Sequence, residues 1–218
     1  QRVVVAPMAD IWARDFTLSN ASHPVMFRDT AAGQGGGARG QRDADAVQGQ
    51  FARFAEATGL AFGETDLLND GGNFVDDYVG NVVVSRKFLR DNRLNEDQGR
   101  AALRRFPGVS NVAFIDSDEQ GGLEHADGVV AFADVNTLIV NSYAQDPAYA
   151  RKLREDLERG LPGVVIHEID RSGVHPIPFS PERFDYADNE FASRVPQDLG
   201  YAGFRLHYPL NKPEYQDE

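Results

Sequence analysis

The sequence contains no cysteine. Disulfides, thiolate metal sites and a cysteine nucleophile are therefore excluded within this chain. Long apolar runs are also missing: the valine triplets at residues 3–5 and 82–84 are far shorter than the roughly 20 residues that span a bilayer. The opening "QRVVVAP" shows no signal-peptide pattern. The sequence thus predicts a soluble chain with no visible signal peptide or membrane span. A processed or truncated start would look the same, and the compartment is left open.

Basic residues are few compared with acidic ones. The chain has 22 Lys and Arg against 34 Asp and Glu, which gives a formal net charge of -12 and a pI near 4.8. Such a charge repels phosphate backbones and anionic lipid surfaces and attracts cationic ligands. Nucleic acid and membranes are therefore not expected as partners.

Apolar periodicity predicts three copies of a strand–strand–helix–strand unit, each of about 50 to 60 residues. In the first copy, "RVVVAP" and "PVMF" are typical of strands, and residues 43–59 predict a helix that ends at Gly59. The second copy begins with a hairpin that turns near Gly80. The third has a hairpin turning at "DVNT" and a helix capped by Asp146 that ends at Gly160.

Two segments do not fit this repeat. Residues 30–43, "TAAGQGGGARGQRD", predict a flexible glycine-rich loop. The stretch from about residue 171 to the end is rich in proline and has no clear helical or alternating pattern. We therefore expect an α/β domain at residues 1–170 and a proline-rich loop or extended tail at residues 171–218.

Three short motifs carry side chains that could do chemistry. "EHADG" places His125 and Asp127 two residues apart at the start of a predicted strand, on one face, where the carboxylate could orient the imidazole or share a metal ion with it. A histidine merely hydrogen-bonded at a strand end is the structural alternative. "LLNDGGNFVDD" is typical of a tight turn. "DSDEQGG" lacks the glutamate of a calcium loop and indicates a solvated acidic turn.

Taken in order, "DIWARDF", "DGGNF" and "HADGVVAFADVNTLIV" resemble the guanidine-modifying deiminases, in particular the branch of agmatine deiminases and bacterial-type peptidylarginine deiminases. The resemblance covers about residues 3–170. It implies a pentein-like α/β propeller of repeated strand–strand–helix–strand units, with about three of the five units present in this chain.

The resemblance also implies a set of substrate-binding residues. Asp15 and Asp127 would grip a planar guanidinium through paired charge-assisted hydrogen bonds. Trp12 would form a wall of the pocket. Asp70 would lie near the substrate, and Asn73 would hold the loop geometry or touch the substrate. The ligand would be a small guanidine such as agmatine or arginine, or an arginyl peptide.

His125 would be the acid–base residue, with Asp127 and Asp15 beside it as catalytic residues. In the family reaction a cysteine thiolate attacks the guanidinium carbon, and hydrolysis then gives a ureido product and ammonia. His125 would protonate the leaving ammonia and activate the water. The reaction needs no metal or organic cofactor.

The missing cysteine separates this chain from that family. A fragment, a protein whose remaining units lie on another chain, and a degenerate relative that only binds are three explanations, and under each this chain alone should not deiminate. A non-catalytic binding protein for guanidinium or other cationic ligands is the alternative hypothesis, and an interaction module with no ligand site is the third. Exposed propeller edges also suggest self-association into a homo-oligomer.

Overall fold

The computed structural model describes residues 10, 12–30, 36–118 and 123–169. The chain divides into two units, residues 1–171 and 172–218. All the described residues belong to the first unit. The predicted strand "RVVVAP" and the predicted tail lie outside the described residues.

The described elements alternate between strands and helices. The strands are β1 (Val25–Arg28), β2 (Gly63–Leu68), β3 (Val75–Asp76), β4 (Asn81–Ser85), β5 (Asn111–Ile115), β6 (Val130–Asp134), β7 (Thr137–Asn141) and β8 (Val165–Ile169). The helices are α1 (Ala13–Phe16), α2 (Gly37–Thr58), α3 (Lys87–Asp91), α4 (Glu96–Leu103) and α5 (Pro147–Gly160). Two single turns of 3₁₀ helix, Gly71–Asn73 and Ala126–Gly128, precede β3 and β6.

The strands form three separate sheets, and each contains a parallel pair joined through helix. The order is β1-β2 in the first sheet, β3-β4-β5 in the second and β6-β7-β8 in the third. In the second and third sheets an antiparallel hairpin is followed by a helical crossover to a parallel strand. This is the strand–strand–helix–strand unit predicted from the sequence. Among the described strands, β8 lies at an edge of its sheet, and self-association through such edges stays a prediction.

Three apolar clusters form the core, and two of them join neighbouring sheets. α5 packs on β5 of the second sheet, and its Leu153 and Leu157 are almost fully buried in the cluster that joins the second and third sheets. The helix begins as predicted: the Asp146 carboxylate accepts a hydrogen bond from the Tyr149 N–H, and Pro147 occupies the first turn. The α5–β5 packing is so close that a Cβ on Gly160 would lie 2.4 Å from the Ala113 Cα atom.

The glycine-rich segment departs from prediction. Residues 37–43 are the first two turns of α2 and not part of a flexible loop. Gly36 and Gly37 have positive φ angles, so the glycines supply the bend that leads into the helix. The predicted end at Gly59 is confirmed, because this residue adopts the left-handed conformation with φ of 70°.

Candidate functional site

The turn Gly71–Asn73 is the floor on which several charged side chains meet. The Gly72 N–H donates a 3.0 Å hydrogen bond to Asp15 Oδ1. A Cβ atom placed on Gly72 would lie 2.5 Å from His125 Nδ1 and 3.0 Å from Asp15 Oδ1, and 3.1 Å from Asp127 Oδ2. Three side chains from α1 and the second 3₁₀ turn therefore converge on one point. We call Asp15, Gly72, His125 and Asp127 the Gly72 cluster.

The two nitrogens of His125 have different environments. Nε2 lies 3.0 Å from Asp70 Oδ2, within hydrogen-bond distance, whereas Nδ1 faces Asp15 Oδ1 at 3.7 Å. Burial lowers the pKa of His125, but the hydrogen bond to Asp70 and the negative charges of Asp15, Asp70 and Asp127 outweigh burial and raise it overall. Asp70 thus fixes the ring and leaves Nδ1 directed at the cluster.

Asp70 is a buried carboxylate that is held by several donors. It accepts hydrogen bonds of 2.8 Å from both the N–H and the hydroxyl of Thr30, and Lys87 Nζ lies 3.8 Å away. Burial alone would raise its pKa. The hydrogen bond from His125, the charge of Lys87 and the Thr30 donors overcome burial and hold the pKa of Asp70 below its usual range. Asp70 is therefore ionised throughout the pH range in which His125 titrates.

The other two carboxylates of the site differ in environment. Burial is the largest influence on Asp15 and raises its pKa, against the opposing effects of His125 and the Gly72 N–H. Asp127 forms an ion pair with Arg14, with 3.0 Å between Arg14 Nε and Asp127 Oδ2. Trp12, two residues before Arg14, is 66% exposed. The cluster therefore has an open, aromatic and positively charged margin.

Two buried residues support the turn and the histidine from behind. The Asn73 side chain donates to Asn69 Oδ1 and accepts a 2.7 Å hydrogen bond from the Ser85 N–H, so these contacts hold the turn. The Ser85 hydroxyl donates to the Glu124 carbonyl, next to His125. The end of β4 thereby fixes both loops that carry the cluster.

Sequence reasoning missed part of this arrangement. It did not single out Asp29, Thr30, Ser85 or Lys87, although a charged residue directly after the buried strand β1 is a weak signal for Asp29. It also placed His125 and Asp127 on an extended strand. They instead flank Ala126 in a 3₁₀ turn, and β6 begins only at Val130.

The described residues contain no group of three or more His, Cys, Asp or Glu side chains arranged to hold a metal ion. No helix among them is long and apolar enough to cross a bilayer. What the cluster offers chemically is a histidine next to carboxylates, a combination that can accept, hold and release protons.

The raised pKa of His125 predicts how stability depends on pH. Its pKa in the folded chain lies above the ordinary value of 6.5, so the stabilising contribution of the charged histidine is fully present below 6.5 and is lost as pH rises through the folded pKa. We expect His125→Gln to lower the free energy of unfolding more at about pH 5.5 than at about pH 9, measured by urea denaturation. His167→Gln, at an exposed histidine in β8, is the control; equal losses at the two pH values would contradict the assignment.

One segment of the chain matches a protein family. Residues 161–218 match the model of the periplasmic glucan biosynthesis protein MdoG. Glucans biosynthesis protein G of Ralstonia nicotianae is 36% identical over 84 residues, which are 35% of this chain and 17% of the relative. The same-named protein of Pseudomonas aeruginosa is 44% identical over 55 residues, covering 25% of this chain and 10% of the relative. The chain therefore spans less than a fifth of these curated relatives.

Solved structures resemble the chain in fold. The agmatine deiminase of C. jejuni has a TM-score of 0.57 at 19% identity, covering 77% of this chain and 52% of the other. The agmatine deiminase of Enterococcus faecalis gives 0.55 at 19% identity, with coverage of 73% and 49%. At these identities the likeness concerns the fold alone. It confirms the predicted α/β, pentein-like architecture.

The predicted membership of the deiminase family is wrong, and so are the predicted guanidine deimination and its alternative, binding of guanidinium ligands. The family model and the curated relatives are glucan biosynthesis proteins. The motifs "DIWARDF", "DGGNF" and "HADGVVAFADVNTLIV" indicated the fold, but proteins that share a fold can have many different functions. The cluster residues, from Asp15 to Asp127, all precede the segment that matches the family model, so the chain combines a pentein-like fold with a segment similar to periplasmic glucan biosynthesis proteins.

Proposed function

We propose that this chain serves periplasmic glucan biosynthesis and that the Gly72 cluster is an acid–base site for a hydroxylated, glucan-type ligand. The convergence of Asp15, His125 and Asp127 on Gly72 is the observation that carries the acid–base part. The match of residues 161–218 to the MdoG model supports a glucan as the ligand class and the periplasm as the compartment. These two supports come from different segments of the chain.

The roles of the two histidine nitrogens follow from their contacts. When His125 is neutral and its Nε2–H donates to Asp70, the lone pair of Nδ1 is free and points into the cluster. A ligand hydroxyl placed there could give its proton to Nδ1, which makes His125 a general base. The raised pKa of His125 improves its strength as a base near neutral pH.

The charge balance of the site suits a neutral ligand. Arg14 already pairs with Asp127, and Lys87 lies beside Asp70. A sugar offers several hydroxyl groups that can donate to carboxylates and accept from arginine. The exposed Trp12 ring could pack against the apolar face of a pyranose.

Calorimetry with neutral linear gluco-oligosaccharides tests this proposal. We expect the purified chain to bind them, and Asp15→Asn to weaken binding by about tenfold, since a hydrogen bond to a charged group contributes about 1.5 kcal/mol or more. His125→Gln should retain most of the affinity but lose about a hundredfold or more of any turnover.

Two exposed residues provide matched controls. Asp43 pairs only loosely with Arg39 at 3.9 Å on α2, and His167 is exposed on β8, so Asp43→Asn and His167→Gln should bind like the unaltered chain. Binding of agmatine without binding of any gluco-oligosaccharide would overturn the proposal, as would equal affinity for the unaltered chain and Asp15→Asn.

A further inference from the structure

A second buried carboxyl group lies behind Asp70. Asp29 directly follows β1 and is only 6% exposed. Its backbone is held from both sides, because its N–H donates to Gln48 Oε1 at 3.1 Å and its carbonyl accepts from Gln41 Nε2 at 2.8 Å. The next residue, Thr30, donates hydrogen bonds to both oxygens of the equally buried Asp70, which brings the two carboxyl groups together. The proposed base therefore has two carboxyl groups behind it in series.

Two buried carboxyl groups in contact cannot both be ionised at little cost, so they share one proton. The surrounding donors decide where that proton stays. Asp70 accepts from Thr30 twice, contacts His125 and lies near Lys87. Asp29 forms no ion pair with any residue in the described part of the chain. The proton therefore belongs on Asp29, and the negative charge on Asp70.

We propose that Asp29 is a positioning residue, a neutral carboxylic acid that donates a hydrogen bond to Asp70 and so keeps Asp70 oriented toward His125. This inference rests on the proposed acid–base role of His125. Asp29 acts through Asp70, although the charge of Asp15 in the Gly72 cluster also contributes to raising its pKa. The inference extends the site by one layer, from the base and its carboxylate to the acid that orients that carboxylate.

The direction of the pKa shifts agrees with this geometry. Burial first, and then the hydrogen bond and the charge of Asp70, raise the pKa of Asp29 to about 8. Asp70 shifts in the opposite direction. Thr30, His125 and Asp29 donate hydrogen bonds to Asp70, and both of its oxygens are occupied. Rotating the Asp70 side chain away from Nε2 of His125 would break these hydrogen bonds.

The pKa of His125, measured by NMR in the ligand-free chain, tests the inference. The direction in which each Asp29 variant shifts this pKa shows whether Asp29 is neutral or ionised. Asp29→Asn keeps a neutral donor, so the pKa of His125 should stay within about 0.3 of its original value. Asp29→Leu removes the donor, leaves more negative charge on Asp70 and should raise the pKa of His125. An ionised Asp29 would instead make both variants lower that pKa by about one pH unit, because each removes a nearby negative charge. That outcome would overturn the inference.

The other charged groups around His125 are unchanged in both variants. They are Asp15, Asp70, Asp127, Arg14 and Lys87. Asp45→Asn is the matched control, since it removes a true but exposed carboxylate, paired with Arg28, from the helix beside Asp29. It should leave the pKa of His125 unchanged, because exposed charges are screened by solvent.

A second measurement needs no substitution at Asp29. In a ¹³C NMR titration of the unaltered chain, the carboxyl carbon of Asp29 should still report the protonated form at about pH 6, where an ordinary aspartate is ionised. An ionised Asp29 at that pH would contradict the inference even if both variants failed to fold. Neither measurement uses a glucan, so a failure of the proposed ligand and a failure of the Asp29 role are told apart.

Discussion

Replacing Gly71 with alanine is expected to destabilise the fold, whereas the same change at its neighbour Gly72 is expected to disable the site alone. At Gly71 the new Cβ would lie 1.9 Å from the Arg14 carbonyl oxygen and 2.9 Å from its carbonyl carbon. These are backbone atoms of α1, which cannot rotate away. We therefore expect Gly71→Ala to displace α1 and to lower the free energy of unfolding by about 3 kcal/mol, measured by urea denaturation.

At Gly72 the new methyl group meets only side chains. His125 Nδ1, Asp15 Oδ1 and Asp127 Oδ2 are its nearest neighbours; the two aspartates can turn aside, whereas the His125 ring is held by Asp70 and has to shift. Gly72→Ala should therefore cost about 1 kcal/mol of stability, less than Gly71→Ala. Because the methyl group occupies the point on which the cluster converges, affinity for gluco-oligosaccharides should fall by about tenfold or more.

Gly128 provides the control for both glycines. It lies in the turn that carries Asp127, and a Cβ there would meet no atom within 4 Å. Gly128→Ala should leave both stability and affinity close to those of the unaltered chain. If Gly72→Ala bound the ligand as well as Gly128→Ala does, the ligand site would lie elsewhere.

Local patterns in the sequence predicted the elements that local forces determine. The third unit is the clearest case. Asp146 and Pro147 specify the start of α5, and alternating apolar residues with a "DVNT" turn specify the β6–β7 hairpin. The glycine-rich start of α2 was mispredicted because glycine weakens a helix only by about 1 kcal/mol per residue, and packing of Ala44, Phe51 and Ala55 against the first sheet overcomes that cost.

The site was predictable only in part. Asp15, Asp70, His125 and Asp127 stand in short motifs that can be read in order along the chain, and the fold brings these four side chains together. Asp29 stands in no motif. Its importance arises from burial against Asp70, a residue about forty positions away, and burial of that kind is a tertiary property.

The function was the least predictable part, for a physical reason. A fold is specified by many weak packing preferences that short motifs can carry between distant proteins, whereas function depends on which groups line the site. The motifs therefore led to the correct architecture and to the wrong family. The family match lies in residues 161–218, and most of that stretch, from about residue 171 onward, was predicted only as a loop or extended tail.

Asp156→Ala is expected to be among the most destabilising single changes in the first unit. Asp156 is 3% exposed and accepts two hydrogen bonds from Arg86, of 2.7 and 3.0 Å, and one of 2.8 Å from Lys152; Arg159 also pairs with it. Burial opposes its ionisation, but Arg86 and Lys152 hold its pKa below the usual range. Removing Asp156 deprives the Arg86 guanidinium of its buried carboxylate partner. We expect the free energy of unfolding, measured by urea denaturation, to fall by about 2–3 kcal/mol.

A surface pair on the same helix provides the comparison. Arg154 and Glu158 lie 3.5 Å apart and are both largely exposed, so Glu158→Gln should change stability by no more than about 0.5 kcal/mol.

The double change Arg86→Met with Asp156→Leu should recover much of the stability that Asp156→Ala loses, since replacing a buried ion pair by apolar groups removes the unpaired charge. If it recovered nothing, the loss in Asp156→Ala would come from packing and not from charge.

Asp156→Ala should also affect the Gly72 cluster, through Ser85. Arg86 follows Ser85 directly, and Ser85 holds both the turn at Asn73 and the carbonyl of Glu124 beside His125. Arg86 therefore ties the support of the cluster to α5. In Asp156→Ala, the NMR resonances of His125 should broaden or shift at denaturant concentrations where the chain is still folded, whereas in Glu158→Gln they should not. Sharp, unshifted His125 resonances in Asp156→Ala would show that the support of the cluster does not depend on this ion network.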